Sequence, residues 1–336
     1  MPSGTTCAAP CCLERPPVPT TTVGNSANRT RIVPPTCRVL PSLVRWYLRS
    51  GLRGSTRCTF AFARRFKALQ AVPIVVNQRQ QLWIDLRDGL SHFLLAGSPW
   101  ATVPWESDEQ VLMSRLVRSG DVVFDIGAHI GLHTVLLSEL VGSTGVVHAF
   151  EPNAGKAAPL AQTVATLPNA TLHAFAVGES EGRAALYIPE DESMTSLADW
   201  TYGREWNRRR TTCEVKRLDD LVTCGELQTP DFIKCDVEGG ELAVLRGGRA
   251  MLDRTEAPIL LYEVNEWAAQ CFGLSMLAAT DFLRGLSRAK YSIFHAQDSG
   301  RTLTRYQNPE LGDCFNLIAI PASRLDRLAP NARSAA

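Results

Sequence analysis

The chain has 336 residues, of which 45% are hydrophobic and 21% are charged, a composition typical of a globular protein with one large domain or one domain plus an appendage. Its formal charge of +1 is unevenly distributed, because residues 1–80 contain twelve Arg or Lys and one acid, Glu14, so they carry +11 and the remainder carries −10. The acidic remainder argues against nucleic acid as a partner, and without a run of 18 apolar residues no transmembrane span is predicted.

The N-terminal part is predicted to lie outside the main domain. Residues 1–36 are rich in Pro, Thr, Ser and Ala, which predicts a disordered segment, an organelle transit peptide or a mis-assigned start. Residues 37–104 are interpreted as a basic extension of helices and short strands. Within it, residues 38–70 mix Arg with apolar residues at helical spacing, interrupted by Gly51 and Gly54. This pattern indicates either helices packed on the domain or peripheral contact with a membrane surface.

Residues 73–95 alternate in polarity and predict a pair of strands. Strand and helix patterns then alternate through residues 105–325, predicting a mostly parallel sheet covered by helices on both faces. A helix over 107–118, with Ser107 as its N-cap, precedes the first strand. Strands are predicted at residues 122–126, 145–150, 171–177, 184–188, 213–216, 231–236, 259–263, 291–295 and 314–320. Helices are predicted at residues 132–141, from the Asn153 cap to about 167, and at 218–222, 240–248 and 274–288. Residues 326–336 are predicted to be a disordered tail.

The first buried strand runs into a glycine turn and a helix, in the sequence VVFDIGAHIGLHT of residues 122–134. Gly127 and Gly131 allow the backbone to come close to a ligand, and the amides at the start of the following helix point to the same place. Asp125, Glu151 and Asp236 fall at the ends of three strands. Ligands of open α/β sheets bind at these ends, so the pattern predicts a nucleotide-type ligand, with Glu151 accepting from a ribose diol.

The turn distinguishes between two ligand classes. A nicotinamide dinucleotide needs G-x-G-x-x-G for its pyrophosphate, but here the turn is Gly127-Ala128-His129-Ile130-Gly131 and the middle glycine is missing. Asp125 would repel a pyrophosphate and suits a cationic ligand. S-adenosyl-L-methionine, with its ammonium, sulfonium and ribose, is therefore favoured over a dinucleotide.

Five sequence blocks in order make the resemblance specific. They are GDVVFDIGAHIGLHT (120–134), AFEPN (149–153), AVGE (176–179) with RLDDL (217–221), DFIKCDVEGGELAVLRGG (231–248) and YEVNE (262–266). Together they resemble the FkbM family of S-adenosylmethionine-dependent methyltransferases. The resemblance implies a Rossmann-like class I methyltransferase fold, with a seven-stranded, mostly parallel sheet whose last strand is antiparallel.

The same resemblance implies roles for individual residues. Asp125, Gly127, Ala128 and Gly131 would hold the methionine part of the cofactor, and Glu151 its ribose. The position before AVGE is often polar in the family but is Ala174 or Phe175 here, so the adenine contacts are assigned to backbone at Ala176 and Val177. His129 stands where the family commonly has Asn, and its role is open.

Asp236 and Glu238 are the candidate catalytic residues, because removing a proton from an acceptor hydroxyl needs a base. The alternative is that Asp236 caps the next helix and Glu238 bonds its backbone amides, while Glu241 steadies the same helix. The prediction is O-methylation of a hydroxyl on a small metabolite or glycan. A nicotinamide-dependent oxidoreductase and a non-catalytic scaffold that keeps a cofactor fold are the alternatives.

Metal ions and disulfides are not predicted. Asp236, Glu238, Glu263 and Asn265 carry hard oxygen ligands, but their spacing is not diagnostic of a metal site. Ten cysteines contain no C-x-x-C pair, and the later ones are interpreted as buried reduced thiols. The predicted location is the cytoplasm, or an organelle if residues 1–36 are a transit peptide. Arg208, Arg209 and Arg210 indicate either a solvated loop or a contact with an acidic substrate.

Overall fold

The fold is taken from a computed structural model, which describes residues 36–50, 52–76, 80–96, 104–199, 208–307 and 311–328. The predicted disordered segment and tail therefore fall almost wholly outside the described residues. At their inner borders, residue 36 begins a helix and residues 326–328 end a 3-10 helix, Ala322–Leu328.

Eleven α-helices are present in the described part of the chain. They are α1 (Thr36–Arg49), α2 (Ser55–Arg65), α3 (Gly89–Ala96), α4 (Pro104–Leu116), α5 (Leu132–Val141), α6 (Ala154–Val164), α7 (Leu218–Thr223), α8 (Glu241–Gly247), α9 (Arg249–Leu252), α10 (Glu266–Cys271) and α11 (Ala278–Arg284). Among the residues described, no helix is both long and apolar enough to cross a bilayer.

Thirteen strands accompany these helices in the same ranges. They are β1 (Val72–Val76), β2 (Gln80–Ile84), β3 (Val122–Ile126), β4 (Val146–Phe150), β5 (Ala170–His173), β6 (Ala176–Val177), β7 (Gly182–Ile188), β8 (Arg209–Lys216), β9 (Phe232–Cys235), β10 (Ile259–Asn265), β11 (Ser292–Gln297), β12 (Thr302–Arg305) and β13 (Cys314–Ile320).

The central sheet has the order β12-β11-β13-β10-β9-β3-β4-β5. Strands β10, β9, β3, β4 and β5 are parallel, and β13 runs antiparallel to both of its neighbours, β10 and β11. The predicted class I methyltransferase fold, with its antiparallel last strand, is thus confirmed. The edge strand β12 is an eighth strand that was not predicted.

Three predicted elements were wrong in detail. The strand predicted at 171–177 is split, because β5 continues the central sheet whereas β6 joins β8 and β7 in a separate three-stranded sheet. Residues 89–96 form a helix and not a strand, since Asp88 accepts a hydrogen bond from the Ser91 amide at 2.7 Å and caps that end. Ser107 is not an N-cap, because α4 already begins at Pro104, a residue well suited to a first helical position.

The N-terminal extension packs on the main domain, as one of its two interpretations predicted. Val44 of α1 and Ala63 of α2 are buried in one hydrophobic cluster with Leu82 of β2 and with Ile130 and Leu132 of the glycine turn and α5. The extension therefore reaches the back of the predicted cofactor turn.

Cys213 and Cys235 are buried free thiols, and Cys271 is half-buried. Cys58, Cys224 and Cys314 are exposed, so the prediction that the later cysteines are buried was wrong for Cys224 and Cys314. The reason is their position: Cys224 follows the last residue of α7, and Cys314 is the first residue of β13.

Candidate functional site

A cavity of about 850 Å³ lies at the carboxyl ends of the central parallel strands. Seven of the nine residues predicted from the sequence line it: Gly127, Ala128, Glu151, Ala176, Val177, Asp236 and Glu238. Asp125 and Gly131 are not among the lining residues. The ends of β3, β4 and β9 thus bring predicted cofactor-binding and catalytic residues onto one cavity, as the carboxyl ends of parallel strands do.

The glycine turn is held against the ends of both neighbouring strands. Gly127 has φ +84°, and a Cβ there would overlap the carbonyl oxygen of Asp236 beyond the end of β9. The amides of Gly127 and Ala128 both donate to the carbonyl of Phe150, each at 3.0 Å. Glycine is therefore required at 127 for close packing as well as for its positive φ.

The two predicted residues outside the cavity lining lie behind this turn. Asp125 is completely buried, and its Oδ2 accepts a 2.6 Å hydrogen bond from the Thr134 hydroxyl. Its Oδ1 has no hydrogen-bond partner among the described residues. Gly131 has φ +90° and stands where a Cβ would lie 2.7 Å from Leu160 Cδ1 of α6.

Glu151 presents a buried carboxylate at the end of β4. Its Oε1 accepts from the amide of Asn153 at 2.8 Å, and its Oε2 accepts from the amide of His129 at 2.9 Å. Burial raises the pKa of Glu151 to about 7, although these two amide donors act in the opposite direction. Each oxygen keeps a further lone pair for a donor in the cavity.

His129 links this carboxylate to a buried group of charges, here called the Lys156 network: Lys156, Arg87, Asp85, Asp88 and Glu192. His129 Nε2 lies 3.6 Å from Asp88 Oδ2, while its backbone donates to Glu151. Burial lowers the pKa of the His129 imidazole despite Asp88. The residue has φ 54°, a left-handed conformation that Asn and His tolerate better than most residues.

Lys156 of α6 is the centre of this network and is 0% exposed. Its Nζ lies 2.8 Å from Asp88 Oδ2, 3.4 Å from Asp85 Oδ2 and 3.7 Å from Glu192 Oε2. Arg87 adds ion pairs to Asp85 at 2.6 Å and to Glu192 at 3.4 Å. Burial opposes the ionisation of Asp88, but Lys156 and His129 outweigh it and the pKa of Asp88 lies below its ordinary value.

The wall at Ala176 and Val177 is apolar and aromatic. Phe175 also lines the cavity, and its ring meets that of Phe150 edge to face, with centroids 5.8 Å apart. Ala174, the other position at which a polar residue was considered, does not line it. This wall offers a flat apolar contact for a purine ring.

A second group, here called the acceptor-end carboxyls, consists of Asp236, Glu238 and Glu263. Asp236 Oδ2 accepts from Lys234 Nζ at 2.9 Å. Burial raises the pKa of Glu238 well above its ordinary value, and the nearby Glu263 and Asp236 raise it further. The pKa of Glu263 is raised in the same way, by burial and then by Asp236. Glu263 accepts from the thiol of Cys314 at 3.2 Å.

The alternative roles, in which Asp236 caps the next helix and Glu238 bonds its backbone amides, are not what the structure shows. Gly240 is the N-cap of α8, and Glu241 Oε1 accepts from the amides of Val237 at 3.0 Å and of Gly239 at 3.3 Å. Glu241 therefore steadies this loop, as predicted for it. Glu238 has φ 57°, and its carbonyl accepts from the Ser196 hydroxyl at 2.8 Å.

The remaining candidates from the sequence lie elsewhere. Asn265 accepts from the Ala268 amide and caps α10, so it is not grouped with the acceptor-end carboxyls. Within the described ranges, no three His, Cys, Asp or Glu side chains are arranged to hold a metal ion. Arg208 pairs with Asp199 at 2.7 Å and Arg209 with Glu192 at 2.7 Å, whereas Arg210 lies over the Tyr187 ring. None of these three arginines lines the cavity.

Several lining residues were not identified from the sequence as site residues. Glu109 of α4 accepts from Asn316 of β13 at 2.7 Å and lies 3.7 Å from His133 of α5, and all three line the cavity. No local pattern predicts this contact, because it joins residues 207 positions apart. Lys234 could have been found, since it precedes Asp236 by two positions and so points to the same face of the strand.

Comparisons with known proteins agree with these motifs. Over 143 residues the chain is 29% identical to the hexuronic acid methyltransferase AglP of Haloferax volcanii, a match that covers 42% of this chain and 56% of that relative. The match thus spans little more than half the length of that protein.

Solved structures to which the chain is weakly similar include two described as methyltransferases. An S-adenosylmethionine-dependent O-methyltransferase from Thermotoga maritima is 12% identical, with a TM-score of 0.35, and the likeness covers 74% of this chain and 76% of that one. A putative methyltransferase from Streptococcus mutans in complex with S-adenosylhomocysteine is 10% identical, with a TM-score of 0.37. The likeness covers 63% of this chain and 94% of that one.

A family model described as the methyltransferase FkbM domain matches residues 125–293, which is half of the chain. The matched range contains the glycine turn, Glu151 and all three acceptor-end carboxyls. The resemblance found in the motifs is thereby confirmed, and with it S-adenosyl-L-methionine as the cofactor of the family. The chain belongs to the FkbM family of methyltransferases.

Proposed function

We propose that this protein transfers a methyl group from S-adenosyl-L-methionine to a hydroxyl of a small metabolite or glycan. The observation that supports it is the single cavity of about 850 Å³ that the glycine turn, Glu151 and the acceptor-end carboxyls line together. A cavity of this size can enclose a nucleoside cofactor and part of an acceptor.

The lining residues suit the chemistry of the cofactor. Glu151 has a free lone pair on each oxygen for a ribose hydroxyl, and Phe175 with Val177 offers an apolar face to an adenine ring. Gly127 and Ala128 line the part of the cavity where the methionine part would lie, and the buried Asp125 lies behind this turn. When bound, the cofactor supplies an electrophilic methyl group.

The acceptor-end carboxyls can take the proton of the acceptor hydroxyl as its oxygen becomes methylated. Glu238 is the better base of the two candidates, because its raised pKa makes its ionised form the stronger proton acceptor. Asp236, hydrogen-bonded to Lys234, can orient the hydroxyl. The rest of the rate enhancement is assigned to positioning in an enclosed cavity.

The charges of the cavity favour an uncharged acceptor over a uronate such as the one named for the Haloferax volcanii relative. Lys234 is the one Lys or Arg among the described lining residues, and it already pairs with Asp236. An anionic acceptor would oppose the ionisation of Glu238 and Glu263, on which removal of the acceptor proton depends. A neutral sugar or a polyol avoids this cost.

Calorimetric titration with S-adenosylhomocysteine tests the cofactor assignment. We expect binding by the unaltered chain and about 10- to 100-fold weaker binding by Glu151→Gln, because hydrogen bonds to a charged group contribute about 1.5–3 kcal/mol. Glu179→Gln, at an exposed carboxyl, is the control. Binding of NADH in place of S-adenosylhomocysteine would overturn the proposal in favour of an oxidoreductase.

Labelled S-adenosylmethionine with an extract of the source organism tests the reaction and the acceptor. We expect label in a neutral O-methylated product. Label in a uronate would overturn the choice of acceptor and keep the reaction. Cofactor binding without any labelled product would support a non-catalytic scaffold.

We also propose a cytoplasmic location. The buried thiols of Cys213 and Cys235 are compatible with a reducing compartment. Microscopy of the full chain with a C-terminal fluorescent tag is the test, and accumulation in an organelle would support a transit peptide within residues 1–36.

A further inference from the structure

Large apolar side chains are exposed on α1, on α2 and on the connection between them. Leu43, Trp46, Leu52, Phe62 and Phe66 have exposed fractions of 44–68%. Several large apolar side chains exposed within one short segment often mark a binding face in a folded domain.

These side chains are not needed to hold the two helices on the protein. Val44, Ala63 and Leu69 supply the buried contacts of this segment, in one cluster with β1 and β2. The helices contact each other and share that cluster, and all five exposed side chains lie within one short segment, residues 43–66. Phe62 and Phe66 are four positions apart, with ring centroids at 6.1 Å.

The same segment is strongly basic. Residues 36–84 contain no Asp or Glu, and Arg45, Arg53 and Arg57 are exposed. Across the described ranges no salt bridge involves any of these three arginines. Arg64, by contrast, forms an ion pair with Glu190 at 2.5 Å.

We propose that this basic apolar face, formed by Leu43, Trp46, Leu52, Phe62 and Phe66 with Arg45, Arg53 and Arg57, binds an anionic lipid surface. The aromatic and aliphatic side chains would enter the boundary between headgroups and acyl chains, and the arginines would bind lipid phosphates. With 14 and 11 residues, α1 and α2 suit helices that lie in the plane of the surface. The proposal does not rest on methyl transfer.

An anionic membrane explains both properties of the face, whereas nucleic acid explains only one. Phosphates of a nucleic acid would satisfy the arginines but leave Trp46 and Phe62 in water. The negative surface potential of the cytoplasmic leaflet provides a suitable partner charge.

The face adjoins one wall of the cavity. Helix α1 contacts α3, whose Phe93 lines the cavity and is itself 46% exposed. Arg64 pairs with Glu190, which precedes the lining residue Asp191. Binding through this face would hold that wall close to the lipid.

Vesicle flotation of the full chain tests the proposal directly. We expect binding to vesicles of phosphatidylcholine and phosphatidylglycerol in equal amounts, weak binding to phosphatidylcholine alone, and loss of binding at high salt. Arg53→Gln with Arg57→Gln should weaken binding about 30-fold, the equivalent of ~1 kcal/mol for each arginine. Trp46→Ala with Phe62→Ala should weaken it about tenfold or more.

Matched controls are available on other parts of the surface. Trp267→Ala removes a tryptophan that is 47% exposed, and Arg246→Gln removes an arginine on α8; both should leave binding unchanged. Circular dichroism confirms that each variant is folded. Absence of binding to anionic vesicles, equal binding by all variants, or binding of an RNA duplex without vesicle binding would each overturn the proposal.

Discussion

Two groups of carboxyl groups border the same cavity, one buried and the other half-buried, and they differ in charge balance. In the Lys156 network, Lys156 and Arg87 face Asp85, Asp88 and Glu192, with Arg209 as a third cation on Glu192, and the pKa of Asp88 lies below its ordinary value. The acceptor-end carboxyls have Lys234 as their cation, and the pKa values of Glu238 and Glu263 are raised by burial and by mutual repulsion. A balanced group keeps its charges and therefore its shape, whereas an unbalanced group gains or loses protons readily. We propose that the first group holds the glycine turn in place through His129, and that the second serves proton transfer.

The largest expected effect is on turnover. On the acceptor found by labelling, Glu238→Gln should lower kcat about 10²- to 10⁴-fold, because a base in this role contributes that much. For the unaltered chain, kcat should rise with pH as the carboxyl with the raised pKa ionises. Full turnover by both Asp236→Asn and Glu238→Gln, measured with labelled cofactor, would remove the chemical role of this group.

The next largest effect is on stability, and it should differ between the two buried lysines, Lys156 and Lys234. Lys156→Met should lower the free energy of unfolding by about 3–5 kcal/mol, because it leaves buried carboxylates without their cation. Lys234→Met should cost less, about 1–2 kcal/mol, since the side chain of its partner Asp236 is 32% exposed. Urea denaturation measures both, with the exposed Lys67→Met as control. Equal losses for the two buried lysines would contradict the contrast in charge balance.

A third test uses the pH dependence of stability. Burial raises the pKa of Glu241 from 4.5 to about 7. Between these pH values the folded protein holds a proton on Glu241 that the unfolded chain has released, so the contribution of this group to stability is fully present below pH 4.5 and is lost as pH rises through 7. The lowered pKa of Asp88 acts in the opposite sense, and its contribution is lost in acid.

Glu241→Gln should remove about 3 kcal/mol of the fall in the free energy of unfolding with rising pH, because each pKa unit corresponds to about 1.4 kcal/mol. Urea denaturation near pH 5 and near pH 8 measures the difference, and Glu179→Gln should not alter it. An undiminished decline in the Glu241→Gln variant would show that other groups cause it.

The smallest effect is expected at His129. His129→Asn should weaken binding of S-adenosylhomocysteine less than about tenfold, since Asn tolerates the left-handed backbone and keeps the amide that donates to Glu151. His129→Ala should weaken it more, because it loses both the conformational preference and the contact with Asp88. Calorimetry of the two variants would contradict this ranking if Ala bound more tightly than Asn.

The sequence was sufficient to predict features that depend on the order of strands and helices along the chain. Buried strands ending in Asp125, Glu151 and Asp236 predicted that acids would gather at one edge of the sheet, and the antiparallel β13 followed from the family resemblance. Glu151 and Asp236 do border one cavity. Asp125, which shares the pattern, lies behind the turn, because Thr134 of α5 bonds it there.

What could not be predicted depends on distant partners. Lys156 looks like an ordinary exposed helix residue in the sequence, and only the fold brings it to Asp88, 68 positions away. The break between β5 and β6 depends on pairing of Ala176 with Val215, which no local pattern encodes. The interpretation of His129 was open for the same reason, since its contact belongs to the N-terminal extension.

The position of β13 has a practical consequence for preparing the protein. The family match begins inside β3 and ends inside β11, whereas β13, at residues 314–320, lies between β10 and β11 in the sheet. A fragment trimmed to residues 125–293 would open a gap in the middle of the sheet and expose two unpaired edges prone to aggregation. It would also remove Asp85 and Asp88 from Lys156. For expression and crystallisation, a useful fragment therefore has to include Asp85 and Asp88 on one side and β13 on the other, well beyond the limits of the sequence match.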